Sequence, residues 1–368
     1  MKSLTIGSAT IDTIAIIASD RIERMSMLNA DASFLLLQEG SKTEAIEIST
    51  HCGGGAVNTA VALARLGFDA AAIVKLGQDQ RAETILARLM DEGVSPRWAL
   101  RDARAPTGAS VLVSSHDRNA AIFTFRGANT LIEPRDLKDD AFAVDLVHVA
   151  SLSNASADCF PLIIEKARAH GALVSVNPGP RQLAARGPAF QQCLGAIDVL
   201  SINRAEAEVL VPTLVARFGE GGPTLHGDGL PRLAAKGLHG GGFHMSLSRF
   251  MSAVVSLGPR VLLVTDGGGG AYAATANEIV HASPVLVDVA GTAGAGDAFV
   301  STFAGFTTLG RPLDVALKAA ALNAASVVGH VDTQTGLLTE ADMASRLAGI
   351  GERIAVRRWQ MSPAPAPA

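Results

Sequence analysis

Residues 292–306, TAGAGDAFVSTFAGF, begin as a turn of small residues and continue as a helix. The predicted helix has one buried face, because residues recur at steps of three and four at Phe299, Thr302, Phe303 and Phe306. Gly310 follows as a helix stop. This turn-to-helix stretch is the feature around which the rest of the chain is interpreted.

The start of this helix has the properties of an anion site. Glycines let backbone N–H groups approach a ligand closely, and a helix start adds unpaired donors and the positive end of a dipole. Asp297 lies at this position, where a carboxylate would compete with an anion. The alternative is an ordinary helix N-cap, for which Asp is well suited. Taken alone, the stretch leaves both interpretations open.

Composition excludes several classes of protein. The chain has 368 residues, of which 48% are hydrophobic and 18% charged, which suits stretches buried on both faces. Its net charge of −4 and aromatic content of 4% give neither a basic footprint nor stacking platforms for nucleic acid. Cys52, Cys159 and Cys193 are too widely spaced for a disulfide framework or a metal motif, which indicates a reducing compartment.

The sequence carries no recognisable targeting signal. Asp12 interrupts the apolar N-terminal stretch, and no run of 18 predominantly apolar residues occurs. We therefore expect a soluble cytoplasmic protein with no membrane partner.

The apolar pattern predicts an α/β fold. Residues 4–17 form a first strand with a polar break at Asp12. A helix over 58–66, a strand over 70–75 and a helix capped by Asp79 follow. Further strands alternate with helical patterns at 146–150, 172–176, 199–202 and 261–265, with a weaker candidate at 285–289. Such alternation is typical of a mostly parallel central sheet with helices on both faces.

Other segments break this alternation. One hairpin is predicted from 34–38 and 45–48 around a turn at 39–42, and a second from 109–114 and 121–125 around 116–119. We expect the two hairpins to pair as a small appended sheet. The glycine-rich residues 219–244 are predicted to be a flexible surface insertion, because the spacing of their three histidines matches no common metal pattern.

Three more stretches could bind ligands. The stretch HCGGGAVN, from His51 to Asn58, opens a helix. It is not a dinucleotide-binding fingerprint, because Asn58 stands where that motif needs Gly or Ala, and it is not a P-loop, because no Lys in the chain follows a Gly. The glycines and the amide could face a polyol, or Asn58 could simply cap the helix. The stretches TDGGGGA at 265–271 and NRAE at 203–206 each follow a strand. The first allows close approach to a phosphate or ribose or forms a loose turn. The second could organise a hydrated Mg²⁺ or cap a helix.

Together these motifs resemble the ribokinase-like (PfkB) carbohydrate kinase family. The glycine-rich run at 53–67 is similar to its first signature, and GAGDAF at 294–299 to its second. Between them the family's order is followed by 127–129 (GAN), 177–180 (NPGP), Asn203-x-x-Glu206 and Thr265-x-Gly267-x-x-Gly270. The resemblance covers roughly residues 3 to 345.

The resemblance implies an ATP-dependent kinase that phosphorylates a hydroxyl of a sugar or sugar-like alcohol. Asp297 would be the general base, with an anion hole for the transferred phosphoryl group at Gly294, Ala295 and Gly296. The substrate hydroxyls would be bound by Asp12, Gly54, Gly55 and Asn58. The nucleotide would be bound by Asn203, Thr265, Gly267, Gly270 and Asn323, and Glu206 would hold Mg²⁺ through water. We expect the Asp297 carboxylate to stay ionised, because the helix dipole favours its charged form.

The resemblance also implies a division of the chain. A discontinuous main domain would comprise residues 1–14, 50–100 and 127–360, and a small β-lid residues 15–49 and 101–126. Residues 361–368 would be a disordered tail. In many family members the lid forms a homodimer. K⁺ dependence is left open, because the family's usual Asp-Thr-Thr is replaced by Gly291-Thr292-Ala293 and Asp288 lies three residues before the expected position.

Three alternatives stay open at this point. The first is a nucleoside kinase of the same family, although the lid offers only Phe34, Phe123 and Phe125 as shelves for a base. The second is a non-catalytic sugar or nucleotide sensor, against which the retained Asp297 argues. The third, a dinucleotide oxidoreductase, is disfavoured by Asn58 at the third glycine position.

Overall fold

Apolar strands alternate with helices along most of the chain. A computed structural model describes residues 1–18, 23–26, 33–36, 40, 42–115, 120–349 and 351–362. Its strands, in chain order, are β1 (Lys2–Ile6), β2 (Thr10–Ile17), β3 (Glu23–Ser26), β4 (Ser33–Leu36), β5 (Ala45–Gly53), β6 (Asp69–Leu76), β7 (Ala99–Arg101), β8 (Gly108–Ser115), β9 (Ala120–Phe125), β10 (Leu146–Val149), β11 (Leu173–Val176), β12 (Val199–Asn203), β13 (Leu238–Gly240), β14 (Phe243–Met245), β15 (Val261–Thr265), β16 (Ala271–Ala274), β17 (Glu278–Ala282) and β18 (Val356–Gln360).

The helices cover both faces of the largest sheet. They are α1 (Gly55–Arg65), α2 (Gln80–Asp91), α3 (Ala155–Asp158), α4 (Phe160–Ala169), α5 (Pro180–Ala185), α6 (Gly187–Cys193), α7 (Arg204–Phe218), α8 (Arg232–Lys236), α9 (Leu247–Ser256), α10 (Ala295–Thr308), α11 (Leu313–Val328) and α12 (Glu340–Gly349). One core layer joins α1, α2, α10 and α11 to the sheet and includes Leu63 and Phe303. The other joins α4, α7 and α9 to the opposite face and includes Phe160 and Phe250. No helix in the described ranges is long and apolar enough to cross a membrane.

The main sheet has the order β18-β17-β16-β15-β12-β11-β10-β1-β6-β7. Strands from β15 to β7 are parallel, while β16, β17 and β18 pair antiparallel at one edge. After β1 the chain fills one side with β6 and β7, and it then returns to place β10, β11, β12 and β15 on the other side. The order of the strands therefore reverses between β1 and β10. In open α/β sheets, ligands bind at the carboxyl ends of the strands at such a point.

The sheet confirms most of the predicted strands and corrects others. The strands predicted at 146–150, 172–176, 199–202 and 261–265 are present as β10, β11, β12 and β15. The prediction at 285–289 is wrong, since those residues are all described and form no strand. The prediction of one strand over residues 4–17 is also wrong. The chain leaves the main sheet after Ile6, and the backbone N–H and carbonyl groups of Ala9 are both bound by a side chain.

The break between β1 and β2 is fixed by Asn129. Its side-chain amide accepts a hydrogen bond from the Ala9 N–H at 2.9 Å and donates one to the Ala9 carbonyl at 2.9 Å. The turn of the chain at Ala9 is thus stabilised by a residue 120 positions away. The apolar pattern continues across the break, so a local pattern could not reveal it.

A second, smaller sheet has the order β5-β2-β8-β9. Its β2–β5 and β8–β9 pairs are antiparallel and its β2–β8 pair is parallel. The hairpin predicted at 109–125 is confirmed as β8 and β9, and its turn at 116–119 lies outside the described residues. The hairpin predicted from 34–38 and 45–48 is wrong, because β4 pairs with β3 and β5 pairs with β2. Local turn residues could not identify a partner strand so far away in sequence.

The boundaries of the small sheet differ from the predicted lid segments. The sheet begins at Thr10 and includes β5 as far as Gly53, whereas β7 belongs to the main sheet. The division into a main domain and a lid stays a prediction. Of the predicted tail, residues 363–368 lie outside the described part of the chain.

The insertion at 219–244 is not confined to the surface. It contains α8 and the β13–β14 hairpin, and the side chains of Leu225, Leu233 and Leu238 are buried in the core layer on the side of α7 and α9. The prediction of a flexible surface insertion is therefore wrong for these residues. Their three leucines are spaced irregularly among glycines, so no periodic pattern marked them as core.

Candidate active site

The N-terminus of α10 is built from the glycine turn. Gly294 caps the helix with a left-handed φ of 78°. A Cβ at Gly294 would lie 2.6 Å from the Thr333 Cβ, so both the backbone conformation and the space require glycine. A Cβ at Gly296 would meet nothing within 4 Å, which shows that the first turn opens onto free space there. The first N–H groups of a helix have no intrahelical partner. They are the donors that an anion at this helix start would use.

Asp297 lies in the first turn of α10 beside Asn58 of α1. The Asn58 Nδ2 donates a hydrogen bond to the Asp297 Oδ2 at 2.8 Å. The Asn58 Oδ1 accepts hydrogen bonds from the Thr333 hydroxyl at 2.9 Å and the Gln334 Nε2 at 3.1 Å. These two donors fix the orientation of the Asn58 amide, because its oxygen must face them and its NH₂ group must then face Asp297.

The environment raises the pKa of the Asp297 carboxyl above its ordinary value. Burial is the largest cause, and the negative charge of Asp12 adds to it, while the hydrogen bond from Asn58 acts in the opposite direction. The side chain keeps partial contact with solvent, although its carboxyl lies deep among protein atoms. This direction is opposite to the one that the helix dipole favours, and ionisation of the Asp297 carboxylate stays a prediction. A higher pKa makes Asp297 a stronger base than an exposed carboxylate.

Gly54 and Gly55 bring the start of α1 to the carboxyl end of the main sheet. Gly54 has a φ of 96°, and a Cβ there would lie 2.6 Å from the Ser8 carbonyl oxygen. A Cβ at Gly55 would lie 3.0 Å from the Ala150 Cβ and 3.5 Å from the Asp297 Oδ1. Ala150 directly follows β10. Asp297 and Asn58 therefore lie where the strand order reverses.

Asp12 is on β2 of the small sheet, and not on the first strand of the main sheet as predicted. It is paired in register with Ser110 of β8, whose hydroxyl donates a hydrogen bond to the Asp12 Oδ1. Burial raises the pKa of the Asp12 carboxyl, while the hydroxyls of Ser110 and Thr10 act against that shift. Its charge influences Asp297. Both carboxylates lie beside the glycine run at 53–55, because a Cβ at Gly53 would collide with the Asp12 carboxyl and a Cβ at Gly55 would lie 3.5 Å from the Asp297 Oδ1.

The predicted nucleotide residues lie further along the same edge. Asn203 and Thr265 are the last residues of β12 and β15, and they are paired in register. Gly267 and Gly270 follow with left-handed φ values of 50° and 87°. Neighbouring strands lie about 4.8 Å apart, so β12 and β15 end about 10 to 15 Å along the edge from β10. An extended triphosphate could span that interval.

Glu206 forms a capping box with Asn203 at the start of α7. The Asn203 N–H donates to the Glu206 Oε2 at 2.9 Å, and the Glu206 N–H donates to the Asn203 Oδ1 at 2.9 Å. Asn203 and Glu206 therefore cap α7, as one of the two interpretations of the stretch at 203–206 predicted. This capping does not exclude a role with a metal, because the structure shows no hydrogen bond from a described residue to the second carboxylate oxygen of Glu206. Burial raises the pKa of this carboxyl.

Asn323, which is predicted to bind the nucleotide, is bound to other parts of the protein. Its side chain is fully buried on α11. Its Nδ2 donates to the Thr302 hydroxyl at 2.7 Å, and its Oδ1 accepts from the Leu338 N–H at 2.9 Å. Asn323 therefore joins α10 and α11 to the chain that follows them, and its contact with a nucleotide stays a prediction.

Sequence reasoning missed Ser110, Thr333 and Gln334. Each contacts a predicted site residue from a distant segment: Ser110 contacts Asp12, and the other two contact Asn58. Ser110 lies in a predicted strand and Thr333 and Gln334 in a short polar stretch, so no local motif distinguished them. Only the pairing of β2 with β8 and the approach of residues 333–334 to α1 reveal their role.

The fold and the site define a phosphotransferase of the kind that acts on a sugar or sugar-like alcohol. A family model described as the pfkB family carbohydrate kinase matches residues 21–219 and 244–340, which is most of the chain. The chain belongs to this family. Residues 220–243, between the two matched ranges, correspond to the inserted segment.

Named relatives agree with this assignment. A deoxyribokinase from Salmonella typhi is 26% identical over 325 residues, covering 88% of this chain and 94% of the relative. A fructokinase from Klebsiella pneumoniae is 30% identical over 292 residues, covering 77% of this chain and 86% of the relative. The solved structure of an Arabidopsis thaliana ribokinase complexed with ribose and ATP superimposes with a TM-score of 0.69 at 19% identity, covering 94% of this chain and 98% of that one. At 19% identity, this similarity shows a shared fold only.

Proposed function

We propose that this chain transfers the γ-phosphoryl group of ATP to a hydroxyl of a sugar, with Asp297 as the general base. The observation that carries the proposal is the hydrogen bond between Asn58 and Asp297 at the N-terminus of α10. Through this bond Asn58 holds the Asp297 carboxylate, whose pKa is raised, at the start of α10 and at the point where the strand order reverses. A base and an anion site are thereby adjacent.

The reaction needs alignment and charge stabilisation more than covalent chemistry from the protein. The Asp297 carboxylate accepts the proton of the substrate hydroxyl. The hydroxyl oxygen forms a bond to the γ-phosphorus, and the bond from that phosphorus to the bridging oxygen breaks as ADP leaves. The backbone N–H groups of Gly294, Ala295 and Gly296 stabilise the charge on the transferred group, because the free donors and dipole of a helix start favour an anion.

Asp12 and Asn58 orient the sugar. The Asp12 carboxylate can accept hydrogen bonds from substrate hydroxyls, since the hydroxyls of Ser110 and Thr10 occupy only part of its capacity. Gly54 and Gly55 let the start of α1 pack closely against neighbouring chain, which holds Asn58 beside Asp297, because a side chain at either position would collide with the surrounding backbone or with Ala150. Holding the hydroxyl near Asp297 supplies the alignment on which transfer depends.

The residues at the ends of β12 and β15 fit ATP and Mg²⁺. Asn203 and Thr265 offer an amide and a hydroxyl, and the left-handed Gly267 and Gly270 allow close approach of the backbone to a phosphate. Glu206 is a hard oxygen donor of the type that Mg²⁺ binds through water. When bound, the ion would neutralise charge on the phosphates. Asp288 is exposed on an irregular segment, so K⁺ is not included in the proposal.

A homodimer through the small sheet is proposed as well. Ile48, Val111 and Phe123 lie on one face of this sheet, and their side chains are 67%, 44% and 61% exposed. Contiguous exposed apolar residues mark interaction sites. We propose that a second copy of the chain covers this face of the small sheet. A cytoplasmic location is a separate part of the proposal.

The test is a comparison of the variant Asp297→Asn with the control Asp91→Asn, which changes an exposed residue at the end of α2. We expect turnover, measured as ADP release with a panel of sugars and nucleosides, to fall by about 10²- to 10⁴-fold in Asp297→Asn only. Calorimetric ATP affinity should stay unchanged, since the base acts on the chemical step. Unchanged turnover in Asp297→Asn would exclude Asp297 as the base.

A further inference from the structure

Arg126 lies at the carboxyl edge of the main sheet. It follows β9 directly, and its Nη1 donates a hydrogen bond to the Ser153 hydroxyl at 2.6 Å. Ser153 belongs to the segment that leaves β10, three residues after Ala150. Three extended residues span at most about 11 Å. Since Ala150 borders Gly55 and Asp297 at the active site, the Arg126 guanidinium lies within reach of the same cleft.

Arg181 approaches from the next strand. It lies in the first turn of α5, after the segment 177–180 that leaves β11. A Cβ at Gly179 would lie 2.2 Å from the Ser151 Oγ, so this segment is in close contact with the one that carries Ser153. Burial lowers the pKa of Arg126, and the positive charge of Arg181 lowers it further. The contact between the two segments places Arg181 close enough to Arg126 for their charges to interact.

No described acidic residue neutralises this pair. Other arginines form ion pairs, such as Arg104 with Asp102 at 2.6 Å and Arg168 with Asp198 at 2.8 Å. Within the described ranges, neither Arg126 nor Arg181 has a carboxylate at salt-bridge distance. A half-buried cation beside a second cation is costly unless an anion accompanies them. The arrangement therefore suits an anionic ligand.

We infer that Arg126 and Arg181 bind an oxyanion substituent of the sugar, so that the substrate is a sugar carrying a carboxylate or a phosphate group. Arginine guanidinium groups bind both anions through paired hydrogen bonds. Asp12 and Asp297 repel such a substituent, so the reactive hydroxyl is turned toward the base and the anion toward the arginines. The inference rests on the proposed function for the identity of the cleft.

The experiment measures binding separately from turnover. Wild-type enzyme is titrated calorimetrically with ketodeoxygluconate, fructose 6-phosphate and fructose, and ADP release is measured with each. We expect one of the two anionic sugars to bind at least about 10-fold more tightly than fructose, because hydrogen bonds to charged groups are the stronger ones. Preference for ketodeoxygluconate identifies a carboxylate, and preference for fructose 6-phosphate a phosphate. If fructose binds as tightly as both anionic sugars, the inference is overturned.

Variants assign the effect to the arginine. Arg126→Gln should weaken binding of the preferred anionic sugar by about 10- to 100-fold and leave fructose binding within about 3-fold, and Arg126→Lys should restore part of the loss. The control Arg311→Gln changes an exposed arginine beyond the far end of α10, a helix about 21 Å long, and should have no effect. Equal losses for fructose and the anionic sugar in Arg126→Gln would refute the subsite. Binding without ADP release would count against the kinase proposal while supporting the subsite.

Discussion

Replacing Gly294 by alanine tests whether the turn before α10 has the described geometry. The φ of 78° places this residue in the left-handed region, which costs an alanine about 1 to 2 kcal/mol. The added Cβ would also lie 2.6 Å from the Thr333 Cβ and 2.9 Å from its Cα, and overpacking of this kind costs about 1 to 3 kcal/mol. We therefore expect the free energy of unfolding to fall by about 2 to 5 kcal/mol.

The assay is thermal unfolding, followed by measurement of turnover. The entropy of unfolding scales with chain length, so in a chain of 368 residues each kcal/mol of lost unfolding free energy lowers the Tm by about 1.3 °C. The expected fall in Tm is therefore about 3 to 6 °C. Because Thr333 donates a hydrogen bond to Asn58, a shift of Thr333 should also reduce turnover at temperatures where the variant is folded.

Gly296→Ala is the matched control for stability. Its Cβ would meet nothing within 4 Å, and alanine is about 1 kcal/mol better than glycine within a helix. Its Tm should therefore stay the same or rise, while turnover falls if the space before this residue is where the phosphoryl group lies. A Gly294→Ala variant as stable as wild type, or a Gly296→Ala variant that loses equal stability, would refute the description of the turn.

Two further predictions concern the base and the small sheet. Catalysis requires the deprotonated Asp297, so kcat/KM should rise with pH through a pKa above the ordinary aspartate value. The variant Asn58→Ala should move this rising limb of the pH profile to higher pH, because it removes the hydrogen bond that favours the charged form of Asp297. A limb that moves to lower pH would contradict this role of Asn58. Phe123→Ser should convert a dimer into a monomer in light scattering at equal concentration, whereas the control Leu309→Ser, on an exposed residue after α10, should not. A dimer that persists in Phe123→Ser would place the interface elsewhere.

The sequence predicted the parts of the fold that depend on local patterns. The Asp79 cap of α2 and the strand at 261–265 follow from capping residues and apolar pattern, and the structure confirms them. The helix after the glycine turn is also confirmed, but the prediction of a single buried face is wrong, because residues 298–305 of α10 are all buried. Local information also located the glycine turn before Asp297, since small residues before a helix are visible as a motif.

The errors arise from contacts between distant segments. The break at Ala9 depends on Asn129, and the pairing of β5 depends on β2, so neither could be derived from neighbouring residues. The raised pKa of Asp297 has the same origin. The dipole of α10 was visible in the sequence, but the burial of the carboxyl and the nearby charge of Asp12 come from the packing of two sheets.

The most direct measurement is a crystal structure of the enzyme with ADP, aluminium fluoride and the sugar that it phosphorylates best. The account predicts that the fluoride group lies at the N–H groups of Ala295 and Gly296, with the sugar oxygen within about 2.6 to 3.2 Å of an Asp297 carboxylate oxygen. A fluoride group bound away from the start of α10, or a sugar hydroxyl that contacts another base, would contradict it.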